Sequence, residues 1–222
     1  MKALVTILAM TGALAFAAPA SAVTLINGSF ELSGNPNAGP RGYTEVSPGS
    51  LEILGWTVGG AGVDLVGSNY WDASDGIQSV DLSRRGAGSI SQSFATVVGV
   101  TYLVTFDLSG NPFGGVDDKI TVISFSGNDP VEQVYSVSAA NSPTNMLWET
   151  YGFSFTASAL TSTLTFTSAE GNRFGPALDN VAITGDDGAG ATIPEPSTWA
   201  MLVIGFGLVG VARRRRATAV AA

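Results

Sequence analysis

Ile90-Ser91-Gln92-Ser93-Phe94, followed after Val98-Gly99 by Tyr102-Leu103-Val104-Thr105-Phe106-Asp107-Leu108, alternates apolar and polar residues twice in succession. Period-two alternation sends successive side chains to opposite faces of an extended chain, so both runs read as half-buried strands. The Val98-Gly99 step reads as a turn, and the two runs together as a hairpin. Working outward, further strand runs are Ile120 to Phe125, Trp148 to Thr156 with Tyr151, Phe153 and Phe155 on one face, Thr163 to Thr167, and Leu178 to Ile183. Gly, Asn, Pro or Ser separates each from the next, and no amphipathic helix of three turns interrupts them. Short strands at near-regular spacing with Gly-rich turns point to an all-β, antiparallel sandwich or jelly roll.

Both ends of the chain differ from this body. Lys2 supplies a positive start, Ala3 to Ala18 an apolar core and Ala20-Ser21-Ala22 a small-x-small cleavage site, so residues 1–22 read as a signal peptide and the mature chain begins at Val23. At the other end Pro194, Glu195 and Pro196 precede Trp199-Ala200, an apolar stretch to Ala212, and then Arg213, Arg214, Arg215 and Arg216. Guanidinium groups stay on the cytoplasmic side of a bilayer, so this tail inserts into the inner membrane and stops there. Trp199 to Ala212 is short against the roughly 20 residues of a comfortable span, and Gly205, Gly207 and Gly210 weaken the helix. A temporary anchor fits these features, with a permanent anchor as the alternative.

Between Val23 and Trp199 lie all eighteen acidic residues but only Arg41, Arg84, Arg85, Lys119 and Arg173 of the basic ones, a net charge of 5 − 18 = −13. Nucleic acid and anionic headgroups therefore make poor partners. The chain has no cysteine and no histidine, which excludes disulfides, thiolate chemistry and every hydrolase mechanism that uses imidazole as base or metal ligand. Carboxylate, Tyr, Lys or Arg chemistry remains. Gly59-Gly60-Ala61-Gly62 and Gly86-Ala87-Gly88 lack the dinucleotide fingerprint and, like Arg84-Arg85, read as turns.

The tail closely resembles the PEP-CTERM sorting signal, in its PEP-x-x-W-A form, which implies recognition and removal by an exosortase in a Gram-negative cell. A second resemblance covers nearly all of the mature chain. Leu25-Ile26-Asn27-Gly28-Ser29-Phe30-Glu31, Gly55-Trp56-Thr57-Val58, Val63-Asp64-Leu65-Val66, Trp71, Asp75-Gly76, Ser79-Val80-Asp81-Leu82, Gly88 to Phe94, Asp107 to Pro112 and Gly175 to Val181 look like the bacterial choice-of-anchor C domain. That domain is similar in turn to the galactose-binding-like jelly rolls of many carbohydrate-binding modules. The implied organisation is a signal peptide at 1–22, a sandwich at 23–184, a linker at 185–193, a sorting signal with a hydrophobic helix at 194–216 and a tail at 217–222.

The resemblance implies a structural Ca²⁺ where the first and last strands meet, with Glu31 and Asp179 as side-chain ligands and carbonyls from Asn27 or Gly28; hard oxygen donors suit calcium. The alternative is that Glu31 caps a turn and Asp179 accepts local backbone bonds. Tyr70, Trp71 and Trp148 are the candidates for stacking on a sugar ring, against core packing for each, while Trp56 reads as core. Asp64, Asp72, Asp75 and Asp81 form a second acidic group that is either solvated or cation-binding or, less simply, holds a glycosidase pair. Asp117-Asp118 reads as a loop charge pair. Three functions follow: an exported, non-catalytic surface or matrix protein that binds carbohydrate or exopolysaccharide, a purely structural surface protein, and a carboxylate-dependent glycan hydrolase.

Overall fold

A computed structural model describes residues 23, 25–34 and 40–186; the signal peptide, most of the linker, the sorting signal and the tail lie outside the described residues. The strands are β1 (Tyr43–Val46), β2 (Thr57–Gly60), β3 (Val63–Gly67), β4 (Gln78–Asp81), β5 (Gly88–Ala95), β6 (Thr101–Gly110), β7 (Asp118–Phe125), β8 (Val131–Ser136), β9 (Glu149–Thr156), β10 (Thr161–Ser168) and β11 (Pro176–Asp186). They form two antiparallel sheets, one of six strands in the order β1-β3-β4-β11-β6-β9 and one of five in the order β2-β5-β10-β7-β8. The all-β sandwich is therefore present. Among the described residues the only helical element is a single 3-10 turn at Pro112–Gly114.

Alternation decides what is buried. Ile90 and Phe94 on β5 and Val104, Phe106 and Leu108 on β6 meet in one core with Trp56, Leu164, Phe166 and Leu178. Phe106 packs edge-on against Phe166 with ring centroids 5.1 Å apart, a contact that crosses between the sheets. Trp56, 1% exposed, is core as expected, and its Nε1 donates to the Asn27 carbonyl at 2.9 Å.

Two sequence expectations need correction. β5 and β6 do not form a hairpin: β5 pairs with β2 and β10, and β6 with β11 and β9. The turn exists, with Val100 N–H donating to the Val97 carbonyl at 3.1 Å, but it carries the chain across the sandwich. Their inward residues then face each other through the core, which satisfies the alternation as well as a hairpin would. The linker also begins later than its composition suggests, since Gly185 and Asp186 still pair with Tyr102 and Thr101.

The chain entry is irregular rather than a strand, and it is fastened to the chain exit. Gln92 clamps Ile26, accepting its N–H at 2.6 Å and donating to its carbonyl at 2.9 Å. Near the exit, β11 shifts register between Asp179 and Ala182, with Asn180 at φ 50°. This bulge turns the Val181 N–H toward the Gly28 carbonyl, 2.9 Å away. A Cβ at residue 28 would overlap the Val181 carbonyl oxygen, so the approach requires glycine.

Candidate functional site

The outer face of the six-stranded sheet is unusually polar and partly covered. Period two places Tyr43 and Glu45 of β1, Asp64 and Val66 of β3, Ser79 and Asp81 of β4, and Ala177 and Asp179 of β11 on this side. Register aligns Glu45 with Asp64 and Asp64 with Asp81, one row of three carboxyl groups across three strands. Residues directly opposite one another in antiparallel strands lie about 4.5–5.5 Å apart at Cβ, and like charges there repel. The row persists because its members are treated differently.

Glu45 stays charged. Arg84 bonds its Oε2 at 2.9 Å, Arg85 the same oxygen at 3.1 Å, and Arg41 approaches Oε1 at 3.9 Å; the Arg84 hydrogen bond above all holds its carboxyl below the usual range. Burial pushes Asp64 up to about 7, helped by the charge of Glu45, and its buried Oδ1 has no hydrogen-bond partner. Burial also pushes Asp81 up to about 8, against the opposing hydrogen bonds from Asn111 and Ser83. Those bonds are 2.8 Å each, from Asn111 Nδ2 and from the Ser83 N–H.

A cleft of about 570 Å³ opens over this row, within the size range of small-ligand sites. Tyr43 and Tyr70 wall one side with ring centroids 4.9 Å apart, and Tyr70 continues to Phe113 at 5.0 Å. Asn172, Arg173 and Phe174, from the segment before β11, line the cleft as well.

Of the three predicted stacking residues, only Tyr70 is half-buried at the cleft; its burial raises its phenol. Trp71 is 1% exposed and donates from Nε1 to Ser79 Oγ at 2.8 Å, so it supports the wall from beneath. Trp148 packs beside it against the Val66, Trp71, Met146 and Ala177 cluster and donates to the Asp72 carbonyl at 3.0 Å. Asp72 and Asp75 are exposed and lie apart from the Asp64–Asp81 row. Asp117 and Asp118 stay at the start of β7, where Asp117 lies 3.6 Å from Lys119 Nζ and Asp118 accepts from Ser136 Oγ at 2.6 Å.

The residues expected to hold calcium meet a different set of partners. Glu31 Oε1 accepts the N–H groups of Ile77 and Gln78 at 2.8 and 2.7 Å. Asp179 is fully buried; its Oδ2 accepts from the N–H groups of Ser74 and Asp75 at 2.8 and 2.9 Å and its Oδ1 from that of Asn180 at 2.7 Å. Burial nonetheless raises its carboxyl to about 7. Asn27 Oδ1 accepts from the Leu32 N–H at 2.8 Å, and the Gly28 carbonyl is held by Val181. Peptide N–H donors, rather than further oxygens, converge on these groups, and among the described residues no three acidic side chains gather as a metal shell. Through these bonds Glu31 and Asp179 clamp the 74–78 loop.

Sequence reading named Asp64, Asp81, Tyr70 and Trp71, which line the cleft, but missed Tyr43, Glu45, Asn111 and the guanidiniums. Arg84-Arg85 reads locally as a turn, and nothing near Arg173 in sequence announces a site. The available signal was the scarcity of cations: four of the five basic residues of the body line this cleft.

A family model described as "Protein of unknown function (DUF642)" matches residues 23–184. The chain belongs to the DUF642 family. A PEP-CTERM protein-sorting motif matches residues 192–216, the kind of signal that directs export to the cell surface. Halomucin of Haloquadratum walsbyi is 32% identical over 160 residues, which cover 71% of this chain and 2% of halomucin. Among solved structures, TmCBM61 in complex with β-1,4-galactotriose is similar at 18% identity and TM-score 0.45 over 60% of this DUF642 chain and 90% of its own. A family 35 carbohydrate binding module from Clostridium thermocellum is similar at 19% and TM-score 0.45, over 64% and 97%. An exo-β-1,3-galactanase from Phanerochaete chrysosporium follows at 14% and 0.42, over 65% and 29%.

Proposed function

We propose that this protein is an exported, non-catalytic surface or matrix protein of the choice-of-anchor C type that binds carbohydrate in the cleft over β1, β3 and β4. An exosortase removes the tail at the Pro194-Glu195-Pro196 box, and the anionic body then works at the cell surface or in exopolysaccharide. The observation that carries the reading is the pairing, in one cleft, of an aromatic wall with a polar floor: Tyr43 and Tyr70 on one side, Glu45, Asp64 and Asn111 beneath. Rings cover the apolar face of a pyranose and polar groups take its hydroxyls. Asp64, half-buried, brings its carboxyl to the floor of the same cleft.

The hydrolase alternative needs two carboxyl groups that reach a glycosidic bond. Asp64 has a neighbour in Asp81, but Asp81 is 1% exposed and its oxygens are engaged by Ser83 and Asn111. Binding is the better account of the row. The test is retention of the protein on the producing strain's own exopolysaccharide, with Tyr70→Ala as the variant. Tyr70 contributes a ring contact of about 0.5–1.5 kcal/mol, so binding weakens severalfold to about tenfold while the circular-dichroism spectrum is unchanged. Equal retention of both forms, or none of either, defeats the reading.

A further inference from the structure

The sandwich at 23–184 carries fifteen acidic residues against five basic ones, 15 − 5 = 10 more acids than bases, yet the cleft has the opposite bias. Three guanidiniums share the single carboxylate of Glu45, and Arg173 enters none of the ion pairs among the described residues. The lining counts four arginines against Glu45, Asp64 and Asp81, a formal 4 − 3 = +1. Elsewhere the one basic side chain of the body is Lys119, itself buried beside Asp117.

A neutral sugar has no use for four guanidiniums, whose planar forks match carboxylates. A dense polyanion is no better suited, because the net negative field of the surrounding sandwich repels it before it reaches the cleft. Resting on the reading that this cleft holds a glycan, we propose that it selects a saccharide bearing an isolated carboxylate, a uronate end group, paired with Arg173 and Arg41 at the rim and stacked on Tyr70. Both arginines are exposed and thus available; Arg41 reaches Glu45 only at 3.9 Å.

The floor adds a pH signature. Asp64 faces Glu45 from β1, Asp81 from β4, and Arg84, Arg85 and Arg173 from the flanking segments. With its carboxyl at about 7 and that of Asp81 at about 8, both groups are largely neutral in mild acid and both charged in mild alkali. Two added negative charges oppose an anionic ligand, so affinity for it falls between pH 6 and pH 9, whereas affinity for its neutral counterpart does not.

The test is calorimetric titration of the full chain in detergent with methyl β-glucuronide and methyl β-glucoside, which differ only in the carboxylate, repeated with the galacturonide and galactoside pair. The expected result is at least about tenfold tighter binding of one uronide over its neutral partner, since a hydrogen bond to a charged group is worth about a factor of ten or more. Arg173→Gln and Arg41→Gln, both at exposed positions, each reduce the preference severalfold with the unfolding temperature unchanged. Equal binding within both pairs overturns the inference and leaves the carbohydrate reading standing. Tighter binding of polygalacturonate per site than of the monomer also overturns it. Failure of all four glycosides, with exopolysaccharide still retained, overturns the assignment of the ligand as an end group in this cleft; failure of exopolysaccharide as well removes the carbohydrate reading itself.

Discussion

Replacing Asp81 by Asn should change the pH dependence of stability more than the stability at any one pH. Asp81 is buried across from Asp64, and its carboxyl is raised from 3.8 to about 8, mainly by burial. Because folded Asp81 keeps its proton to about pH 8 whereas an unfolded aspartate releases it near 3.8, the folded state binds more protons in that window. Stability therefore falls as pH rises through it. Inside the window the slope contributed by one such group is about 1.4 kcal/mol per pH unit, so between pH 5.5 and 7.5 Asp81 alone removes roughly 2–3 kcal/mol. Asp64 and Asp179, both raised to about 7 by burial, act in the same direction.

The Asn variant does not titrate. Its amide oxygen still accepts from one of the two donors, the Ser83 N–H or Asn111 Nδ2, but its NH2 faces the other, which costs about 1–3 kcal/mol in acid; this deficit should shrink by roughly 2–3 kcal/mol on going from pH 5.5 to 7.5. Equilibrium urea unfolding followed by tryptophan fluorescence at five pH values measures both slopes. Parallel lines for the wild type and D81N, or a wild type that gains stability from pH 5.5 to 7.5, would refute the claim that Asp81 is desolvated and carries its proton in the fold.

The entry-to-exit fastening predicts that Gly28→Ala is far more damaging than a surface Gly→Ala change. The added methyl collides with the Val181 carbonyl oxygen and displaces the Val181-to-Gly28 hydrogen bond, so a loss of about 2–4 kcal/mol is expected in the same unfolding assay, and a change below 1 kcal/mol would contradict it. If Glu31 and Asp179 clamp the 74–78 loop through peptide N–H groups, dialysis against EDTA leaves the melting temperature where it was; a drop of several degrees that calcium reverses would restore both residues as metal ligands.

Gly76 shows how little of this clamp is visible locally. It adopts φ 73° and brings its backbone so near that a Cβ would overlap the Glu31 carboxylate. In sequence it is one glycine of an Asp75-Gly76 turn, and Glu31 is one carboxylate in a chain rich in them. Conversely β7, β9, β10 and β11 were legible because each keeps strict alternation or a clear apolar run between turn residues. β4 escaped notice because both its faces are covered and all four residues are buried, which erases the period.

What the chain alone determined is everything that depends on residue type or on period: an all-strand body, which side chains face inward, the cysteine- and histidine-free chemistry, the acidic charge and the sorting motif at the end. Pairing partners were decided only in three dimensions. Val98-Gly99 turns the chain, but whether β6 lies beside β5 or across the core from it depends on which arrangement buries both inward faces against other strands, and that is a property of all eleven at once. The cleft has the same origin. Glu45, Asp64 and Asp81 become neighbours because three strands fall into one register, and Arg173 joins them from a distant segment. Charges that look like scattered surface residues in one dimension are brought by that register into a single desolvated row, and burial then shifts their protonation.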